Sequence, residues 1–271
     1  MTKYTYYFRT LLLAAIILSV LLTPETFAQS EAYLKKEFKT SSGSILPYRI
    51  LYPENMDQSK TYPLVLFLHG AGERGNDNEK QLVHGSAMFI RDDVRSDYPA
   101  IVVFPQCPEE EWWAPGELLM GVRSKNFEFP DKSYPPSAPM QWVMELLEDL
   151  VSRHYTNTQQ LYVMGLSMGG FGTFDLLHRR PEWFAAAVPI CGGGDHNKAP
   201  IYAQNTNFWI FHGDDDMVVP VEGSIMMKSA IKEAGGKVKY TEYKEVGHNS
   251  WDPAFAEENL LPWLFGNRRS D

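Results

Sequence analysis

The sequence is poor in cysteine, with two residues, Cys107 and Cys191, in 271. That number excludes a disulfide scaffold, which needs several cysteines at regular spacings. It also lacks any basic run, and its net charge is −9. An acidic chain of this kind is a poor binder of nucleic acid or of an anionic lipid surface. The apolar run from Leu11 to Leu22 falls short of the ~20 residues that cross a bilayer, so no stable membrane anchor is expected. There is no H-E-x-x-H, and the one close pair of potential metal ligands, Asp195-His196, reads as a turn. No metal and no cofactor are therefore expected. Repeats, low-complexity tracts and Gly/Ser linkers are absent as well, which leaves nothing to divide the chain into several domains.

The amino-terminal segment reads as a targeting signal. Lys3 and Arg9 precede the apolar run, and Thr26 and Ala28 place small residues where a signal peptidase cuts, predicting cleavage after Ala28. No cysteine follows the cut, which argues against a lipoprotein. The expectation is a secreted or periplasmic protein whose residues 29–271 form a single α/β domain. Loss of Lys3, Arg9 and Glu25 with the signal takes the net charge from −9 to −10.

Beyond the signal, "YLKKEFKT" and "ILPYRILYP" flank "SSGS" and predict an antiparallel hairpin at a sheet edge. Short apolar runs follow: "PLVLFLHG", "AIVVFPQ", "LYVMGLS", "AAAVPICG", "FWIFHG" and "VKYTEYKE". Without clean alternation they suit strands buried on both faces of a parallel sheet. Met140, Val143, Met144, Leu147, Leu150 and Val151 recur at helical spacing between two of these runs. A second helix must begin just after Ser167 and stop before Pro181, and a third runs from about Val221 to "AGG". Strands alternating with helices define a doubly wound α/β sheet, whose ligand crevice lies at the carboxyl ends of the strands. The two cysteines fall at the ends of strands expected to lie three places apart, roughly 14 Å at ~4.8 Å per strand, so two free, buried thiols are expected.

The strand ends carry His69-Gly70, Cys107, Ser167, Cys191 and His212-Gly213. Gly165-Leu166-Ser167-Met168-Gly169 is a G-x-S-x-G sequence between a predicted strand and a predicted helix, the context in which a sharp turn displays a nucleophilic serine. A serine hydroxyl needs a base, and in this type of sheet the chain order is Ser, acid, His. Of the seven histidines, His69, His84 and His154 precede Ser167, His178 sits on the helix leaving it, and His196 and His212 precede any suitable acid. His248, in the loop "EVGHNSWDP", remains. The acid comes from Asp214, Asp215 and Asp216, of which only one can face the imidazole.

With these residues assembled, the chain resembles the α/β-hydrolases of the group that includes bacterial carboxylesterases, dienelactone hydrolases, prolyl oligopeptidase catalytic domains and the feruloyl and acetyl-xylan esterases of carbohydrate esterase family one. The resemblance rests on "LFLHGAGERG", "GLSMGGFGT", "HGDDDMVVP" and "GHNSW", spread from Leu66 to Trp251. It implies a mostly parallel central sheet with helices on both faces, and a triad of Ser167, Asp216 and His248. Asp216 is singled out because the family acid stands immediately before a residue followed by a Val-Val-Pro or Val-Ile-Pro run, here Met217 followed by Val218-Val219-Pro220. The resemblance also implies an oxyanion hole made by the backbone N–H groups of Met168 and Ala71, with Gly72 the nearest competitor to Ala71.

The same triad cleaves esters, thioesters and amides, so the substrate must be argued separately. About 35 residues lie between the signal and the first core strand, which leaves no room for the large access-limiting domain of a prolyl oligopeptidase and favours a serine esterase. The long connection at about 107–139 carries Trp112 and Trp113, and Trp251 lies three residues past His248. These indoles are candidate substrate-binding residues for a sugar ring or a hydroxycinnamoyl group, with at most one of the adjacent pair expected to face the ligand. The expected substrate is a small-molecule or polysaccharide-linked ester, such as a feruloyl or acetyl ester of plant cell wall. The alternatives are a small serine peptidase and a non-catalytic carbohydrate-binding homologue.

Overall fold

The computed structural model describes residues 31–116 and 134–269. The expected signal at residues 1–28 and the middle of the 107–139 connection lie outside the described residues. Eight strands form one sheet: β1 (Leu34–Lys39), β2 (Ile45–Leu51), β3 (Tyr62–Leu68), β4 (Ile101–Pro105), β5 (Thr156–Leu166), β6 (Ala186–Ile190), β7 (Asn207–Gly213) and β8 (Val238–Tyr243). Their spatial order is β1-β2-β4-β3-β5-β6-β7-β8. The pairs β1–β2 and β2–β4 are antiparallel, and every later pair is parallel. This is the α/β-hydrolase fold, with the expected hairpin at one edge.

The apolar runs lack alternation because each strand feeds two cores. Leu64, Leu66 and Leu68 of β3 join one buried cluster, whereas Val65 and Phe67 join the other. On the first face lie α3 (Ala138–Val151), α4 (Met168–Arg179), α5 (Ala199–Tyr202) and α6 (Glu222–Glu233). On the second lie α1 (Ser86–Phe89), α2 (Asp92–Asp97), α7 (Trp251–Phe255) and α8 (Leu260–Gly266). Helix α3 starts where Ser137 accepts a hydrogen bond from the Met140 N–H, with Pro139 in its first turn. The edge strand β1 exposes Lys35, Lys36, Glu37 and Lys39, charges that discourage pairing with another chain. No helix among the described residues is long and apolar enough to cross a membrane.

Sequence reasoning placed the fifth strand from Leu161, but β5 begins at Thr156. The polar stretch Thr156–Gln160 joins it because the Thr156 hydroxyl bonds to the Leu150 carbonyl and Thr156 sits opposite Tyr62 in β3. Cys107 and Cys191 are free and buried, following strands separated by β3 and β5. Burial raises both thiols far above their ordinary range, which makes them inert in the folded protein. Alkylation of the native protein should therefore be negligible, and alkylation in non-reducing denaturant should add two groups by intact mass. An absence of addition in denaturant would mean a disulfide and a different strand order.

Candidate active site

The turn from β5 into α4 is built by close approach. A Cβ on Gly165 would lie 2.2 Å from the Gly169 carbonyl oxygen, and one on Gly169 would lie 1.9 Å from that of Leu68. Only glycine lets α4 come this near to β3 and β5. Between them Ser167 takes φ 52° and ψ −116°, a strained backbone for a residue with a side chain. Its N–H is anchored on the Ile190 carbonyl at 2.9 Å, and its carbonyl receives the Phe171 N–H at 3.2 Å. Strain held by packing on three sides is how a fold projects one hydroxyl above the sheet.

That hydroxyl meets an imidazole. Ser167 Oγ lies 2.9 Å from His248 Nε2, and His248 Nδ1 lies 2.7 Å from Asp216 Oδ2. Asp216 is buried in the loop after β7, and its Oδ1 accepts the N–H groups of Val218 (2.8 Å) and Val219 (2.9 Å). Burial alone would raise this carboxyl. Hydrogen bonds from His212, His248, Val219 and Val218 outweigh that and hold it well below the usual carboxylate range. An ionised Asp216 then fixes His248 with its proton on Nδ1, leaving Nε2 free to take one from Ser167. Asp214 and Asp215 point elsewhere: both are exposed, and Asp214 accepts the Glu245 N–H at 2.7 Å.

Met168 opens α4, and Ala71 opens a short 3-10 turn, Ala71–Glu73. The first N–H of a helix has no acceptor within it, so both groups are available to a bound oxygen. The Ala71 loop is pinned to the residues that follow β4 by hydrogen bonds. Gly75 donates to the Cys107 carbonyl at 2.9 Å, Gln106 Nε2 reaches Asp77 at 2.9 Å, and Gln106 Oε1 accepts the Asn78 N–H at 2.6 Å. His69 adds another. It accepts the Cys107 N–H on Nε2 at 3.0 Å, so its proton sits on Nδ1, 2.6 Å from the Gly70 carbonyl. Burial lowers this imidazole to about 4, so it is a neutral brace.

The three tryptophans separate. Trp113 is a candidate substrate-binding residue by sequence, where at most one of the adjacent pair faces a ligand; the structure corrects this candidate, because Trp113 is the one turned inward. It is fully buried, its indole N–H donates to the His69 carbonyl at 3.0 Å, and its side chain packs against Gly172 of α4. It anchors the connection because its N–H finds a backbone acceptor that no solvent reaches. Trp112 is 38% exposed, with the Arg74 guanidinium 4.4 Å from its ring centre. Trp251 meets His248 edge-to-face at 5.4 Å and His84 at 5.1 Å, so it lines the wall next to the base.

Sequence reasoning did not assign His69 or His212 a role. The signal was present in a repeated form, a buried strand ending in His-Gly, at His69-Gly70 and again at His212-Gly213. Among the described residues, one group of three potential metal ligands comes within 4.8 Å, namely Cys191, Asp216 and His248. It is the triad's own acid and base beside a protonated thiol, a donor set committed to hydrogen bonding rather than to an ion.

The α/β-hydrolase fold here carries a serine, a histidine and a carboxylate in hydrogen-bonded series. The chain belongs to the phospholipase/carboxylesterase family, whose model matches residues 55–257. Among solved structures it is similar to a thermostable esterase at 35% identity and TM-score 0.78, over 88% of this chain. It spans 64% of that esterase's length. It shares its fold with a ferulic acid esterase from Anaeromyces mucronatus at 14% identity, TM-score 0.61, over 86% of this chain and 90% of that one. A putative dipeptidyl aminopeptidase IV from Bacteroides ovatus aligns at 16% identity and TM-score 0.62, over 87% of this chain and 36% of that one. No curated protein matches the chain.

Proposed function

We propose that the protein is a serine hydrolase of carboxylic esters that works through an acyl-enzyme. The observation that carries this reading is the unbroken series Ser167 Oγ, His248 Nε2, His248 Nδ1, Asp216 Oδ2, at 2.9 and 2.7 Å, on a serine held at φ 52°. His248 takes the Ser167 proton as Oγ bonds to the acyl carbon. The carbonyl oxygen becomes an anion held by the Met168 and Ala71 N–H groups. As the tetrahedral species collapses, the ester C–O bond breaks and His248 gives its proton to the departing alcohol. Water, deprotonated by His248, then attacks the acyl carbon and releases the acid and Ser167.

The substrate reading is a feruloyl or acetyl ester of plant cell-wall polysaccharide, acted on outside the cytoplasm. It is supported by the signal-like residues 1–28, the acidic chain, the exposed ring of Trp112 against Arg74 and the ring of Trp251 against His248. Turnover compared across acetylated xylan, methyl ferulate, a short-chain nitrophenyl ester and a peptide amide tests it. The reading requires ester hydrolysis to dominate, with methyl ferulate or acetylated xylan preferred. A preference for the amide would make the protein a peptidase.

Trp112 supplies the residue-level test. Stacking contributes ~0.5–1.5 kcal/mol beyond burial, so Trp112→Ala should lower kcat/KM on methyl ferulate roughly three- to tenfold while leaving nitrophenyl acetate nearly unchanged. Trp113→Ala should instead cost about 3–5 kcal/mol of stability, as truncation of a buried tryptophan does, and reduce both activities together. Equal losses on both substrates for Trp112→Ala would remove it from the substrate site.

A further inference from the structure

The acid of the triad is bonded from its closed side as well as from the substrate side. His212, the penultimate residue of β7, is fully buried. Its Nε2 lies 3.2 Å from Asp216 Oδ2 and 3.0 Å from the Val219 carbonyl oxygen. A carbonyl can only accept, so Nε2 carries a proton and donates toward both. Its Nδ1 lies 2.7 Å from Ser224 Oγ on α6, and that hydroxyl is also 3.2 Å from the Gly192 carbonyl. Asp216 therefore stands between two Ser–His pairs. Ser167 and His248 occupy the open side, and Ser224 and His212 the closed one.

This placement gives Asp216 four donors in all. Val218 and Val219 hold Oδ1, while His248 and His212 share Oδ2. The backbone pair fixes one oxygen only, so the direction of the other depends on what meets it. His248 comes from a loop and must move a proton in each cycle. His212 comes from the carboxyl end of a buried strand and is held by α6, which makes it the rigid partner. Burial makes a lone ring in this position costly unless its polar atoms are bonded, and here both are.

We propose that His212 is a positioning residue of the triad. Through its Nε2–H, itself oriented by Ser224, it aims Asp216 Oδ2 at His248 and takes up part of the carboxylate's charge. The inference rests on the reading of Ser167, His248 and Asp216 as a catalytic triad. The groups that face Asp216 are His212 from β7, His248 from the loop after β8, and Cys191 at the end of β6, whose buried thiol stays protonated. Removing His212 takes away one donor and leaves more of the carboxylate charge acting on His248. That favours protonated His248 and moves the acid limb of kcat/KM to higher pH.

The test compares His212→Leu, His212→Gln and Ser224→Ala with the unaltered protein. The measurements are kcat, KM, the pH profile of kcat/KM, thermal unfolding and the stoichiometry of fluorophosphonate labelling. Loss of a hydrogen bond to a charged group corresponds to roughly a ten- to hundredfold change, so His212→Leu should lower kcat by that factor. KM should change little, and the acid limb should move up. His212→Gln, which can return an N–H toward Asp216, should recover much of the loss. Ser224→Ala, a small change that keeps the fold should the leucine variant fail to form, should lower kcat in the same sense by a smaller factor. Equal losses in the leucine and glutamine variants with an unmoved acid limb, or an unchanged kcat in Ser224→Ala, would overturn the proposal and leave His212 a core filler. Failure of the unaltered protein to be labelled would instead defeat the triad reading itself.

Discussion

Ser167→Ala should lower kcat on a nitrophenyl ester by roughly 10⁴- to 10⁶-fold, with contaminating esterase excluded, because no other group in the site can form the acyl-enzyme. Cys191, whose sulfur lies within 4.8 Å of Asp216 and His248, is buried and held protonated. The Met168 and Ala71 N–H groups would survive the substitution and could still polarise a carbonyl, which accounts for the residual rate. KM should move much less than kcat, since the hydroxyl contributes to the reaction rather than to binding. Alanine keeps the Cβ and with it the strained φ, and loses only the hydroxyl's contact with His248, so melting temperature should change little while activity collapses. Turnover within tenfold of normal would remove Ser167 from the chemistry.

Asp216→Asn should be the next most damaging change, about 10³- to 10⁴-fold in kcat. The reason lies in the donors around the carboxylate. All four of its partners donate: two backbone N–H groups to Oδ1 and two imidazoles to Oδ2. An asparagine must turn its NH₂ toward one of these sides. If the carbonyl stays on Val218 and Val219, the NH₂ faces His248 Nδ1, which must then accept. The His248 proton moves to Nε2, where it blocks removal of the Ser167 proton. Asp215→Asn and Asp214→Asn should change kcat by less than about threefold, the range of exposed substitutions away from a buried network. The assignment is wrong if Asp215→Asn is the most severe of the three.

What could be read from the sequence followed from chain order and from glycine. G-x-S-x-G between a strand and a helix demands a turn that only close packing can hold, and the structure supplies the reason in the 1.9 Å that a Cβ on Gly169 would leave to Leu68. The order serine, acid, histidine left His248 as the remaining histidine, and a strand before each candidate located the crevice. The sheet followed from apolar runs without alternation, because strands such as β3 contribute to cores on both faces. What stayed hidden depends on pairings distant in sequence. The hydrogen bond from Cys107 to His69 spans 38 residues, and that from Trp113 to the His69 carbonyl spans 44. Composition could not tell a tryptophan that anchors a loop from one that faces solvent, since Trp112 and Trp113 are adjacent and share the same local signal. Nor could spacing reveal that His212 would turn back onto Asp216, four residues along, across a tight loop.

The central claim is that Ser167 is an activated nucleophile, and the most direct measurement is covalent labelling. The protein should react with a fluorophosphonate to one adduct per chain, and peptide mapping should place that adduct on Ser167. Labelling should be lost in Ser167→Ala and strongly slowed in His248→Gln, which lacks the base. An adduct on another residue, or no adduct in a protein that unfolds with a single cooperative transition, would contradict the account.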